Sequence, residues 1–389
     1  MKRSDLTAYE GREQAYVKHA LLAAYLERFI MILGQHFPRI VYVDCFAGPW
    51  GSSTENFDDT SFGQALQIMR ACKTKLQNDF RKTPKFEAIF IEKDQVSFAK
   101  LEKFSAEACS TGLKVTAWQG EFQSRVAHIA ESIGSDFAFV LIDPKGWKDV
   151  IEPDVLAPLL KKRTVEVLIN YMWQFLSMAV GHLHEVAQEQ NLVRLFGESV
   201  RNVPSSGHPD REAWLLNLYR TRLVAASCAS GANRTRTVSF PIEYPGRVAV
   251  KYFLIHATHH DLGVIKFAEA SEEGLGAQAA VRFCVNQQKK EGKTLTQDLF
   301  ADAEVDIVMG GRALTAPWLE ILPVAGSEMQ IGEGEIANLI ERNNCLLGEL
   351  QKGLAELIAR GVIVNLDAKR ARPKNAVLYK NHERLKRLI

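Results

Sequence analysis

The 389-residue chain contains six cysteines and no Cys-x-x-Cys pair. Cys45, Cys72, Cys109, Cys228, Cys284 and Cys345 are scattered. That spacing excludes a zinc ribbon or a disulfide framework and reads as reduced thiols. Long hydrophobic runs are also missing. The most apolar stretch, 165–180, is interrupted by Glu166, Asn170 and Gln174 and is too short to cross a bilayer. The opening Met-Lys-Arg-Ser-Asp lacks the apolar core of a secretory signal, so a cytoplasmic protein with no membrane contact is expected. Charge of neither sign dominates: 48 Lys and Arg face 46 Asp and Glu, for a net +2. Attraction to nucleic acid would therefore have to come from a local patch. Histidines cluster at His182/His184 and His256/His259/His260, without a carboxylate at metal-ligand spacing. They read as surface residues, and no metal is expected. Repeats and low-complexity tracts are absent. What remains, 47% hydrophobic and 24% charged residues, describes an ordinary globular chain long enough for two domains.

Residues 12–36 place Val17, Leu21, Leu22, Tyr25, Leu26, Phe29, Ile32 and Leu33 at helical spacing, with Gly34 and Pro38 at the end. Lys18 and His19 open this helix, where a cation could approach the crevice, but a solvated face is the favoured reading. Short apolar runs follow at 40–45, 88–91, 115–118, 137–142 and 165–169, each ending at a polar group and alternating with helical stretches. This rhythm predicts an α/β fold with a parallel sheet covered by helices on both faces. Runs at 252–258 and 263–267 add late strands. The pattern weakens over 271–326. Helices are expected at 333–341 and 347–360, and strands at 362–366 and 376–379, a winged-helix-like order. Lys369, Arg370, Arg372 and Lys374 sit at its tip. The expected organisation is thus 1–270, a connecting segment 271–326, and a winged-helix-like unit 327–389.

The most informative feature is the first strand and its turn. An apolar run ends at Asp44, and Gly48 and Gly51 then break the chain. A buried strand that brings a carboxylate to its C-terminal edge and turns on glycines opens a nucleotide-binding crevice. Glu92, at the end of the second run, fits a carboxylate that binds a ribose diol; its alternative is a solvated acid in a charged loop. Glu121 either faces an adenine amino group or sits at a helix start because of the dipole. Asp143-Pro144, after the fourth run, would lie at the reacting centre. Trp147 either stacks on an acceptor base or packs in the core. Asn170 either binds substrate or satisfies a loop. Cys45, inside the turn, reads as a small core residue and not as a nucleophile.

The Asp-x-Phe-Ala-Gly turn resembles that of S-adenosylmethionine-dependent methyltransferases. At finer grain, Tyr42-Val43-Asp44-Cys45-Phe46-Ala47-Gly48-Pro49 followed by Ser61-Phe62-Gly63 is similar to the three-Cys-motif partner protein (TcmP) family. Lys18, Tyr25-Leu26, Phe90-Ile91-Glu92, Leu141-Ile142-Asp143-Pro144, Val167-Leu168-Ile169-Asn170 and the late run 253–258 with Gly263 follow the same order. The resemblance spans about residues 18–270. It implies a Rossmann-like class I methyltransferase domain with S-adenosylmethionine held by Asp44, Phe46, Ala47, Gly48, Gly51, Glu92, Glu121 and Asp143. It also implies Asp143, Pro144, Trp147 and Asn170 as the catalytic set, Asp143 orienting an acceptor amine, and a partner with three cysteines that resembles radical-S-adenosylmethionine proteins. Lys145 and the late aromatic depart from the Asp-Pro-Pro-Tyr pattern of amino-methyltransferases. The expected function is methyl transfer to nucleic acid or a nucleobase, with Lys369, Arg370, Arg372 and Lys374 contacting phosphates. The alternative is a non-catalytic adaptor that supports a partner protein.

Overall fold

The computed structural model describes residues 6–48, 52, 57–109, 112–228, 231, 234–247, 249–291, 312–370, 372 and 374–389. The chain opens with helix α1 (Glu13–Leu33), then alternates β1 (Arg39–Asp44), α2 (Ser61–Phe80), β2 (Lys85–Glu92), α3 (Gln95–Cys109), β3 (Lys114–Gln119), α4 (Phe122–Ile133), β4 (Phe137–Ile142), α5 (Pro153–Leu160) and β5 (Val165–Tyr171). Helices α6 (Trp173–Gly181), α7 (Val186–Phe196) and α8 (Arg211–Ala226) lead to β6 (Arg236–Glu243), β7 (Val250–Thr258) and the long helix α9 (Asp261–Glu291). The seven strands form one sheet in the order β3-β2-β1-β4-β5-β7-β6. Strands β1 to β5 are parallel, whereas β7 runs antiparallel to both β5 and β6. The α/β class and the expected parallel sheet are therefore present, with an antiparallel edge.

Alternation within each strand builds two cores. On β1, Ile40 and Tyr42 face the layer of α1, α2, α3 and α9. Val41 and Val43 face the layer of α4 to α8. Both sides being covered is why these strands are continuous apolar runs. Because β2 and β4 flank β1, the chain winds outward in both directions from this point, and a crevice opens beyond the C-terminal ends of β1 and β4.

The late elements differ from expectation. Residues 263–267 belong to α9 and not to a strand. The short apolar run Val264-Ile265 with Phe267 is one buried face of a helix. Gly263 fits there because a Cβ would come within 2.8 Å of Glu166 Oε1. Strand β6 was not anticipated. It carries Pro241, which a central strand rejects, but β6 is an edge strand where a missing N–H costs nothing. The boundary expected at residue 270 falls inside α9, which runs on to Glu291. Much of the expected connecting segment, 292–311, lies outside the described residues.

The C-terminal residues form a helix (Ala316–Ile321), β8 (Glu328–Gln330), helices Glu333–Asn343 and Leu347–Ala359, β9 (Ile363–Asn365) and β10 (Arg384–Arg387). Strand β10 pairs antiparallel with β8 on one side and β9 on the other. The strand expected at 376–379 is replaced by β10. Ala376 and Val377 are buried, but the Val377 backbone is held by the Gln351 amide at 2.9 and 3.1 Å in place of a ladder.

Polar contacts of graded burial fasten this unit to the large sheet and to α9. Glu341 accepts from Arg234 Nη1 (2.9 Å), Arg236 Nη1 (3.1 Å) and the Thr237 N–H (3.1 Å). Asn344 Oδ1 accepts from the Ser239 N–H at 2.8 Å, and the Gly348 N–H donates to Glu272 Oε1 at 2.7 Å. Removing the Glu341 carboxylate leaves two guanidinium groups without their shared partner. Glu341→Ala should lower unfolding stability by about 2 kcal/mol, read by urea titration. An unchanged midpoint would mean that the apolar contacts alone hold the two parts together.

Candidate functional site

A cavity of about 750 Å³ lies at the C-terminal ends of β1, β2, β3 and β4. Its floor is the turn after β1. The Cys45 N–H donates to Leu141 O at 3.0 Å and the Ala47 N–H to Ile91 O at 2.9 Å, so the turn is stitched to both neighbouring strands. Phe46 and Gly48 line the cavity, while Asp44 and Ala47 stand behind it. Asp44 is fully buried, accepting the Phe46 N–H at 3.1 Å and the Ser61 hydroxyl at 2.6 Å. Burial pushes its carboxyl up to about 6, although Ser61 and the Phe46 N–H oppose the shift. It holds the loop in shape and ties it to the start of α2. Because the folded chain then holds this proton more tightly than the unfolded one, this group favours folding below its ordinary value of 3.8. The contribution is lost as pH rises toward about 6. Gly51 lies outside the described residues.

Glu92 ends β2 and lines the cavity, only 4% exposed. The Asp94 N–H donates to its Oε1 at 2.7 Å and fixes the carboxylate at the strand end. Opposite, the β3 turn passes through Gly120 at φ +141°, a backbone conformation that strains a side chain, and the Gly120 N–H donates to Glu92 O at 3.0 Å. Glu121 is exposed at the rim, 3.6 Å from Lys93 Nζ. Phe122 begins α4 and stacks obliquely on Phe46, ring centroids 5.7 Å apart, giving the pocket an apolar wall.

At the end of β4, Asp143 and Pro144 both line the cavity. Asn170, at the end of β5, does not. Its Nδ2 donates to Asp143 Oδ1 at 2.7 Å, so it supports Asp143 from behind. The other Asp143 oxygen accepts from Lys18 Nζ. Burial pushes the Asp143 carboxyl up, but the Lys18 ammonium and the Asn170 amide outweigh it and hold the group below the ordinary carboxylate range. Lys18 is therefore not a solvated residue of α1: its side chain is 12% exposed and faces the cavity. Next to it, His19 is buried and accepts or donates a 2.9 Å bond with Tyr9. Desolvation, reinforced by Lys18, lowers its pKa to about 3, so it is neutral. Trp147 is 6% exposed, as the core reading has it, and it also lines the cavity. Phe175 of α6, half exposed, completes the lip.

Sequence reasoning missed Lys18, because its partner is 125 positions away. It also misread several histidines. His256 is fully buried, Nε2 3.1 Å from Glu166 Oε2, and His259 is buried against Leu160 O at 2.8 Å. His182 and His184 are exposed as expected, and Glu185, next to them in the sequence, lies within reach of both. Cys45 is a buried thiol pushed far up by desolvation, in keeping with an inert core residue. Among the four expected phosphate-contacting residues, Arg372 is committed to Glu383 at 2.6 and 2.7 Å, which leaves Lys369, Arg370 and Lys374 exposed. Among the described residues no helix is long and apolar enough to cross a membrane.

Compared with known proteins, the chain matches no protein-family model and no curated protein. Among solved structures it aligns with an O-methyltransferase from Bacillus cereus in complex with SAH at TM-score 0.31 and 14% identity, over 61% of this chain and 80% of that one. It aligns with loganic acid methyltransferase with SAH at TM-score 0.31 and 11% identity, over 78% of this chain and 89% of that one. A third alignment, to PKMT2 from Rickettsia typhi, has TM-score 0.25 and 12% identity, over 74% and 73% of the two chains.

Proposed function

We propose that the chain is an S-adenosylmethionine-dependent methyltransferase. One observation carries the reading: a cavity at the switch point between β1 and β4 that joins a glycine turn, the fixed Glu92 carboxylate and the Asp143–Lys18 pair. Glu92 would accept both ribose hydroxyls, the apolar wall of Phe46 and Phe122 would meet the adenine, and the sulfonium would point toward the end of β4. Methyl transfer is an in-line displacement: an acceptor lone pair attacks the methyl carbon while the carbon–sulfur bond breaks, so positioning supplies most of the rate.

Both oxygens of Asp143 are engaged, which moves the acceptor contact from the carboxylate to Lys18. An ammonium only donates, so beside a hydroxyl it lowers the oxygen's pKa and stabilises the oxyanion that attacks once its proton has passed to solvent. Within the nucleic-acid or nucleobase class we infer for the acceptor, this favours a hydroxyl or carbonyl oxygen over an exocyclic amine. The helix, strand, two helices and paired β9 and β10 of the C-terminal unit support a winged-helix reading, with Lys369, Arg370 and Lys374 as its free cations. The resemblance of 18–270 to the TcmP family supports a three-cysteine partner that resembles radical-S-adenosylmethionine proteins.

One observation favours the adaptor alternative for the C-terminal unit. The exposed face of helix Leu347–Ala359 carries Glu356 beside Lys352, and its start is bound to Glu272 of α9, so it is poorly suited to enter a nucleic-acid groove. Calorimetry with S-adenosylmethionine tests the primary reading. Wild type should bind one equivalent, and Glu92→Ala should weaken binding about tenfold through loss of the hydroxyl contacts. No binding by wild type, or equal binding by the variant, would remove the cofactor assignment.

A further inference from the structure

Away from the cavity, the turn between α6 and α7 brings together His182, His184 and Glu185. Among the described residues they form the one group of three metal-capable side chains whose ligand atoms all lie within 4.8 Å of one another. We propose that this turn binds a divalent transition-metal ion of the zinc class.

Four observations support it. First, the donor set fits: two imidazoles and one carboxylate suit zinc, nickel or cobalt, whereas magnesium and calcium require oxygen ligands throughout. Second, the spacing fits. A tetrahedral ion with bonds of 2.0–2.1 Å separates its ligand atoms by about 3.3 Å. His182 Nδ1 and Glu185 Oε1 already stand 3.2 Å apart. His184 lies beside them, its ring centroid 6.1 Å from that of His182 and the planes inclined by 36°, so a side-chain rotation closes the third bond. Third, the backbone that carries the ligands is ordered. The His182 N–H donates to Ala179 O at 3.0 Å, the Glu185 N–H to His182 O at 3.1 Å, and the Glu189 N–H to Glu185 O at 2.8 Å. Helix α6 is anchored through buried Leu176 and Val180, and α7 through buried Leu192, Leu195 and Phe196. Fourth, all three ligands are exposed, so an ion and its water ligand enter without any opening of the protein.

The ion would join the last turn of α6 to the first of α7. Helix α6 sends Phe175 to the lip of the cavity, so the metal would stiffen one wall of the candidate acceptor site while lying outside it.

The test is calorimetric titration of the full chain, free of any histidine tag and stripped with chelator, with zinc chloride, followed by cobalt(II) absorption spectra. One equivalent should bind with micromolar affinity and give the visible bands of a nitrogen- and oxygen-ligated ion. His182→Ala and His184→Ala should each weaken binding about tenfold or more, because each removes one of three ligands. His208→Ala, at an exposed position elsewhere, should not. Melting curves of the variants without metal should match wild type, since these side chains are on the surface. Absence of saturable binding, displacement of zinc by millimolar magnesium, or wild-type affinity in the double variant would each overturn the proposal.

Discussion

Lys18→Met is expected to cut methyl-label transfer to acceptor by about 100-fold while leaving affinity for S-adenosylhomocysteine within about threefold. The magnitude is that of removing one preorganised donor that holds the acceptor as its oxyanion. A second readout does not need the acceptor. Sinefungin places an amine where the methyl-bearing sulfonium would be. In wild type that amine would meet Asp143 already neutralised by Lys18; in the variant the carboxylate would be uncompensated. Sinefungin should therefore bind Lys18→Met about tenfold more tightly than wild type, relative to S-adenosylhomocysteine. Lys18→Arg should restore the wild-type ratio, which a purely structural lysine would not require. If S-adenosylhomocysteine fails to bind at all, the cofactor assignment is wrong; if it binds and the ratio does not move, only the place of Lys18 is wrong.

The largest loss of stability is expected from Glu166→Ala. Glu166 sits near the start of β5, 4% exposed, and is shared by Tyr25 of α1, by His256 Nε2 at 3.1 Å and by the Thr258 hydroxyl at 2.8 Å, both of β7. Alanine would strand three buried donors and open a void, at a cost of about 3–5 kcal/mol. Among the described residues His256 Nδ1 has no partner, so a ring proton belongs on Nε2, where it donates to the carboxylate. Burial pushes the Glu166 carboxyl up, but His256, Tyr25 and Thr258 together hold it below its ordinary 4.5. A depressed folded value means stability that is present above the ordinary value and lost as pH falls through the folded one. Acid unfolding of wild type should show this loss as pH falls below the ordinary 4.5, and Glu166→Ala should lack it. A variant with wild-type urea stability at neutral pH would show that the network is incidental to the fold.

The central strands were legible because burial on both faces leaves a continuous apolar run, as in Phe137–Ile142, and nothing in a helix imitates its length and turn signals. Val264-Ile265 with Phe267 fails the same test: two or three apolar residues in a row are equally one face of a helix, and only packing against α1 decides. Glu92 could be placed because a strand end fixes its direction. Asp44 could not, since whether a carboxylate enters a cavity or bonds its own loop depends on where Ser61 lands. The Lys18–Asp143 pair left no trace in either local pattern, because charge complementarity between α1 and β4 exists only after folding. Arg372 looked like its neighbours Lys369 and Arg370 until Glu383 claimed it.

Helix α9 has a consequence for how the protein can be divided. At 31 residues it is about 46 Å long. One stretch receives Arg28 of α1 at Glu273 (2.6 Å), and another buries Ala277, Ala280, Val281 and Cys284, while Glu272 receives the C-terminal helix. Cutting the chain within this beam would strip packing from the seven-stranded sheet and from the C-terminal unit at once. A transplant of either part would therefore have to carry α9 with it.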